Sequence, residues 1–164
     1  MDLTISFIFI SLINSFTFMF AMTNLLLFPT HLINKIIIYI YIACCQIFFF
    51  LQFGQNIIPF TIGGTILIIA ASNGHLILNS LFALLGYLLA IFINYILISF
   101  LNLFGFTVSD LYSNNYYLIT FVIVYAVITC IASRFLGKYL RILYAQHKII
   151  FSKDMCHIFS IYKS

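Results

Sequence analysis

The sequence predicts an all-α integral membrane protein, a polytopic bundle of about five transmembrane helices. Three observations carry that expectation. Of the 164 residues 65% are hydrophobic and only 6% charged, with a mean hydropathy of +1.20. A water-soluble domain carries about a quarter charged residues to solvate its surface, so a soluble globular enzyme is excluded. The stretches between Asp2 and Lys35, Lys35 and Asp110, and Asp110 and Arg134 hold no charged residue, room for bilayer crossings of about 20 residues each. Six of the seven basic residues (Arg134, Lys138, Arg141, Lys148, Lys153, Lys163) fall in the last 31 residues, so an apolar body carries one basic tail.

Inside hydrocarbon a crossing must satisfy its own backbone hydrogen bonds, so each apolar run reads as a helix. The first runs from about Leu3 to Phe28 and stops at Pro29-Thr30-His31. Met1-Asp2 brings no basic n-region and no small-residue cleavage site follows, so no cleaved signal peptide is expected. The second covers about Ile36 to Phe53 and ends at Gly54-Gln55-Asn56. The third, Ile57 to Ala71, is short and expected to be interrupted by Pro59 and Gly63-Gly64. The fourth runs from about Leu76 to Phe104, long enough to tilt or break, and the fifth covers Tyr116 to Ser133. The chain thus divides into a bundle over 1–133 and a basic tail over 134–164, helical at its start.

Basic residues stay in the cytoplasm, which orients the bundle. With the tail inside, counting back through five crossings puts 104–115 and 54–56 outside, and 72–75 and 29–35 inside. Lys35 then falls on the cytoplasmic side and Asp110 outside. Arg134, Lys138, Arg141 and Lys148 are spaced 4, 3 and 7, which makes one helical stripe. The stripe reads as a membrane-surface flank with snorkelling cations, or as the start of a continuous helix carrying a signal out of the membrane. Lipid bilayer is the expected partner, and nucleic acid is not.

In order and style, the segment from about Asn79 to Arg141 matches one family. A long helix carries Gly86-Tyr87 and Asn94. Leu103-Phe104-Gly105-Phe106, an Asp110-Leu111 turn and Asn114-Asn115 follow, then an apolar helix ending in Leu136-Gly137-Lys138. This segment resembles the membrane sensor half of the peptide-pheromone receptor histidine kinases of Gram-positive bacteria, the AgrC/ComD-like group. The resemblance implies a multi-pass sensor in the cell membrane that takes a short secreted peptide from outside, acts as a homodimer and belongs to quorum-sensing signal transduction. The kinase half of that family, with its phosphoacceptor His and ATP-binding boxes, is not in the sequence. The residues around His147 and His157, AQHKII and MCHIFS, do not resemble the acceptor motif. The expectation is therefore a non-catalytic sensor module, free-standing or part of a truncated receptor.

Single residues refine this. Ala83, Gly86 and Ala90 bring small side chains to one helix face, suited to close packing within the bundle or at a dimer seam. Asn94 reads first as interhelical glue. With Gln46, Gln52, Gln55, Asn56 and Asn102 it is also a candidate polar strip leading to the outer face, where Phe and Tyr walls suit a peptide. Asp110 reads as a helix cap or solvated turn residue, or as a contact for a cationic or amide-bearing peptide. Cys44, Cys45 and Cys130 read as apolar fillers. His147, Cys156 and His157 fall short of a metal-site signature, so no metal or cofactor is expected.

Two other classes compete. A pheromone-processing membrane peptidase needs a Cys nucleophile within reach of a His base. His75 has no Cys on the following helix, and Cys44-Cys45 is expected mid-membrane. A small transport or assembly subunit without chemistry of its own is the alternative. Proton-coupled transport is disfavoured, because it uses ionisable residues in the membrane interior.

Overall fold

The computed structural model describes residues 3–26, 30–52, 58–73 and 76–161, and all regular structure among them is helical. The helices are α1 (Leu3–Leu25), α2 (Leu32–Gln52), α3 (Ile58–Asn73), α4 (Leu76–Leu103), α5 (Val108–Ser113) and α6 (Asn115–Ile161). Three of them hold segments long and apolar enough to cross a bilayer: Ile8–Leu25, Ile77–Leu103 and Asn115–Gln146. A shorter apolar segment, Leu32–Ile47, lies in α2. The chain is a helical bundle of membrane type.

Helix α1 sits at the centre, packed against α2, α4 and α6, while α3 closes the far side against α2 and α4. Two cores meet on it. Met19, Met22 and Leu26 pack with Ile38, Ile42, Ile69, Ala83 and Tyr87; Ala21 packs with Ala90, Ile93 and Tyr125. Named contacts give the helix directions. Ser15 meets Gln46, and Phe16 meets Tyr39, where α2 returns along α1. Phe18 stacks on Tyr87 at 5.2 Å, and Asn24 meets Ser133. Ala21 with Tyr125, and then Asn24 with Ser133, set α6 running the same way as α1, and α2 runs against both.

Three local features differ from the sequence expectation. The third segment is one uninterrupted helix. Pro59 falls in its first turn, where a missing N–H removes no helical bond. Gly64 packs under the Tyr41 ring, and Gly63 faces open space. Helix α2 starts at Leu32 rather than about Ile36, closed by a bond from the Lys35 amide to the His31 carbonyl at 3.3 Å. The 104–115 connection holds a helix of its own, α5. It is set up by Gly105 at φ +80, whose amide bonds back to Asn102 at 3.1 Å while that of Phe106 bonds to Leu101 at 3.2 Å. That pair of bonds is a Schellman close to α4, and it needs a residue free to take positive φ.

Helix α6 runs 47 residues, about 70 Å at 1.5 Å per residue. It passes 133–134 without a break, so the border between apolar body and basic tail falls inside one helix.

Candidate functional site

At the end of the bundle that holds 104–114, Thr107 caps α5. Its amide and hydroxyl donate to Asp110 Oδ2 at 2.7 and 2.6 Å, and its own hydroxyl oxygen lies 3.4 Å from the Asp110 amide. This is a complete capping box. The Thr107 hydroxyl, and then its amide, hold the exposed Asp110 carboxyl below the usual carboxylate range. Asn114 ends α5 and caps α6, its Oδ1 accepting from the Tyr116 amide at 2.9 Å.

The polar strip is spread over several surroundings. Gln46 Oε1 lies 3.1 Å from the Ser15 hydroxyl in the α1–α2 seam. Asn94 is half-buried on α4, and Asn102 is exposed at that helix's end. Gln55 and Asn56 lie outside the described residues, as does the side chain of Gln52. Ala83, Gly86 and Ala90 all face inward. Ala83 and Ala90 are fully buried in the two cores. A Cβ on Gly86 would stand 2.7 Å from the Ala21 carbonyl oxygen. That face is covered by the chain's own α1.

The opposite end holds a junction that sequence reasoning passed over. Thr129, Ser133 and Gly137 succeed one another at intervals of four on α6, and all three are buried. The spacing repeats the small-residue device noted on α4 and was visible in the sequence. Where α1 ends, Gly137 admits its backbone so closely that a Cβ there would run into the Asn24 carbonyl oxygen. Asn24 Nδ2 donates to Ser133 Oγ at 3.3 Å, and that hydroxyl donates to the Cys130 carbonyl at 3.0 Å. Arg141 closes the junction: its Nε donates to the Gly137 carbonyl at 3.0 Å and its Nη2 to the Asn24 carbonyl at 3.1 Å. Asn24 belongs to the last turn of α1, whose carbonyls lack helical partners, and a cation there complements the helix dipole.

The basic stripe therefore divides. Arg141 is bound to backbone, while Arg134 and Lys138 are exposed and have no protein partner among the described residues. The side chain of Lys148 lies outside the described residues. A notch of about 420 Å³ beside α6 is lined by Arg134, Lys138, Arg141, Ile142 and Ala145. The site's chemistry is thus a capped, cationic helix junction at one end and a short capped helix at the other, joined by α6. Compared with known family models, curated proteins and solved structures, the chain matches none.

Proposed function

We propose that the chain is a non-catalytic membrane sensor module. In this reading it crosses the membrane five times, keeps its basic end in the cytoplasm and takes a short secreted peptide near residues 104–114. One observation carries the reading. The capped segment around Asp110 leads through the Asn114 cap straight into α6, which continues unbroken past the Arg141–Asn24 junction to Ile161. A peptide that binds one packing of the bundle better shifts its population, and α6 carries that shift to the cytoplasmic end. The shared direction of α1 and α6 supports an odd number of crossings. Helix α3 is the short member at 16 residues, about 24 Å, and a short span is accommodated by local bilayer thinning. The resemblance of Asn79–Arg141 to the pheromone-receptor sensor half supports the peptide class of ligand.

The test has two arms. Reporter domains active only outside or only inside the cell are placed after Gly105 and at the C-terminus. Activity outside for the first and inside for the second is expected, and the reverse would overturn the orientation. In the second arm, Cys44, Cys45, Cys130 and Cys156 are replaced by Ser and an environment-sensitive probe is attached at an introduced Ala145→Cys. A panel of synthetic short linear and cyclic peptides is then added to the 104–114 side. At least one should change the probe signal. If none does, and a membrane protein co-purifies with the chain in fixed ratio, the chain is an assembly subunit.

A further inference from the structure

We propose that Arg134, Lys138 and Arg141 form a binding site for the phosphate of an anionic phospholipid headgroup, whose acyl chains lie along Val127 and Ile131. The inference goes beyond peptide sensing and does not depend on it; it needs only that the basic end of α6 meets a lipid interface.

The argument begins with spacing. Val127, Ile131, Arg134, Lys138, Arg141 and Ala145 follow one another at intervals of 4, 3, 4, 3 and 4, which places them on one face of α6. The face changes character at a single level: Val127 and Ile131 are each 53% exposed, and the three residues that follow on the stripe are exposed cations. That is the profile of a phospholipid, with hydrocarbon meeting Val127 and Ile131 and phosphate meeting the bases.

The notch between the cations is about 420 Å³, with Ile142 and Ala145 completing its wall. One wall is fixed in place, because Arg141 is held through Nε and Nη2 by two backbone carbonyls. A guanidinium has five N–H donors, so donors remain for an anion. Arg134 and Lys138 add a fork and a point charge, the two usual partners of phosphate oxygens. No carboxylate competes for them among the described side chains. The only one is Asp110, at the other end of the bundle and engaged by Thr107. Three cations without a counterion repel one another, and a bound phosphate removes that repulsion. The exposed apolar residues on the same stripe favour a phosphate that carries acyl chains over a free one.

The full-length chain, in a mild detergent containing equal phosphatidylglycerol and phosphatidylcholine, is released for native mass spectrometry and its retained lipid identified. Phosphatidylglycerol should be kept in preference. The Arg134→Gln/Lys138→Gln double variant should lose about 30-fold in apparent affinity for it, at about fivefold per cation. Lys35→Gln/Lys163→Gln, equal in charge, should bind as the wild type does. Equal retention of both lipids by the wild type would overturn the proposal. So would an equal loss in the charge-matched control, which would mark a diffuse surface potential. Displacement of the lipid by millimolar inorganic phosphate would overturn the lipid assignment in favour of a free-anion site. Should the double variant fail to insert, the wild-type contest between the two lipids decides alone.

Discussion

Replacing Gly86 with Ala tests the central contact of the bundle. The added Cβ would stand 2.7 Å from the Ala21 carbonyl oxygen, 2.8 Å from Met22 Cα and 2.9 Å from the Ala21 carbonyl carbon. Carbon atoms in ordinary contact are about 3.5–4.0 Å apart. All three neighbours are backbone of α1, so no rotamer change relieves the overlap, and α1 and α4 must separate. Their separation also disturbs the Phe18–Tyr87 stack beside it. Overpacking of this kind costs about 1–3 kcal/mol, and Ala recovers about 0.5–1 kcal/mol of helix propensity over Gly. The net loss of up to about 2.5 kcal/mol corresponds to a Tm lower by as much as roughly 10 °C for a chain of this size. Gly63→Ala is the matched control, because nothing lies within 4 Å of its added Cβ. It keeps the propensity gain alone and should raise Tm slightly. Thermal unfolding of the full chain in a mild detergent, followed by circular dichroism at 222 nm, compares the two. If Gly86→Ala melts at or above Gly63→Ala, the backbones of α1 and α4 do not approach as described.

The same assay reads the α1–α6 junction. Gly137→Ala places its Cβ against the Asn24 carbonyl oxygen and should cost more than Gly86→Ala, while Arg141→Gln, which uncaps the end of α1, should cost about 1 kcal/mol. Gln46→Leu removes the Ser15 contact and should cost only about 0.6 kcal/mol, the mean for interhelical hydrogen bonds in membranes. Asp110 makes α5 sensitive to acid. Its carboxyl titrates below the ordinary value when folded, so the stabilisation is fully present above that value and is lost as pH falls through the folded one. Hydrogen exchange at the Thr107–Ser113 amides, corrected for intrinsic rates, should speed up between about pH 6 and about pH 3. In Asp110→Asn that change should be absent.

The helix positions were legible because charge-free apolar runs and their breaks are one-dimensional signals. The expected end of the fourth run, at about Phe104, lies one residue past the last residue of α4, while Pro29 and Gly54 lie outside the described residues. Pro59 misled because its effect depends on position: it breaks a helix interior and is harmless in a first turn. Helix α5 was hidden by its length, although Thr107 followed three residues later by Asp110 carries the spacing of a capping box. The Asn24–Gly137–Arg141 junction was out of reach for another reason. It joins residues more than a hundred positions apart, and Arg141 stood in a stripe of cations that share its sequence signal.

Burial itself was the least legible property, and the cause is the solvent. In water, apolar side chains mark the inside. Here Leu67, Ile77, Leu103 and Phe135 are among the most exposed side chains, whereas Ser15, Thr17, Thr65 and Ser133 are fully buried. Lipid tails are as apolar as leucine, so hydrophobicity gives no preference between the core and the bilayer. What separates the two is size and hydrogen bonding. Small hydroxyl residues let backbones approach and return their protons to their own helix: Ser15 to Ser11 at 2.7 Å, Thr17 to Ile13 at 2.8 Å and Thr65 to Thr61 at 2.6 Å. Each then hides a polar group at no cost in partners. A reading that followed small and hydroxyl residues at intervals of three and four would therefore have found the Thr129–Ser133–Gly137 seam beside the Ala83–Gly86–Ala90 one. It would also have placed α1, with Ser11, Ser15, Thr17, Ala21 and Thr23 all buried, at the centre of the bundle.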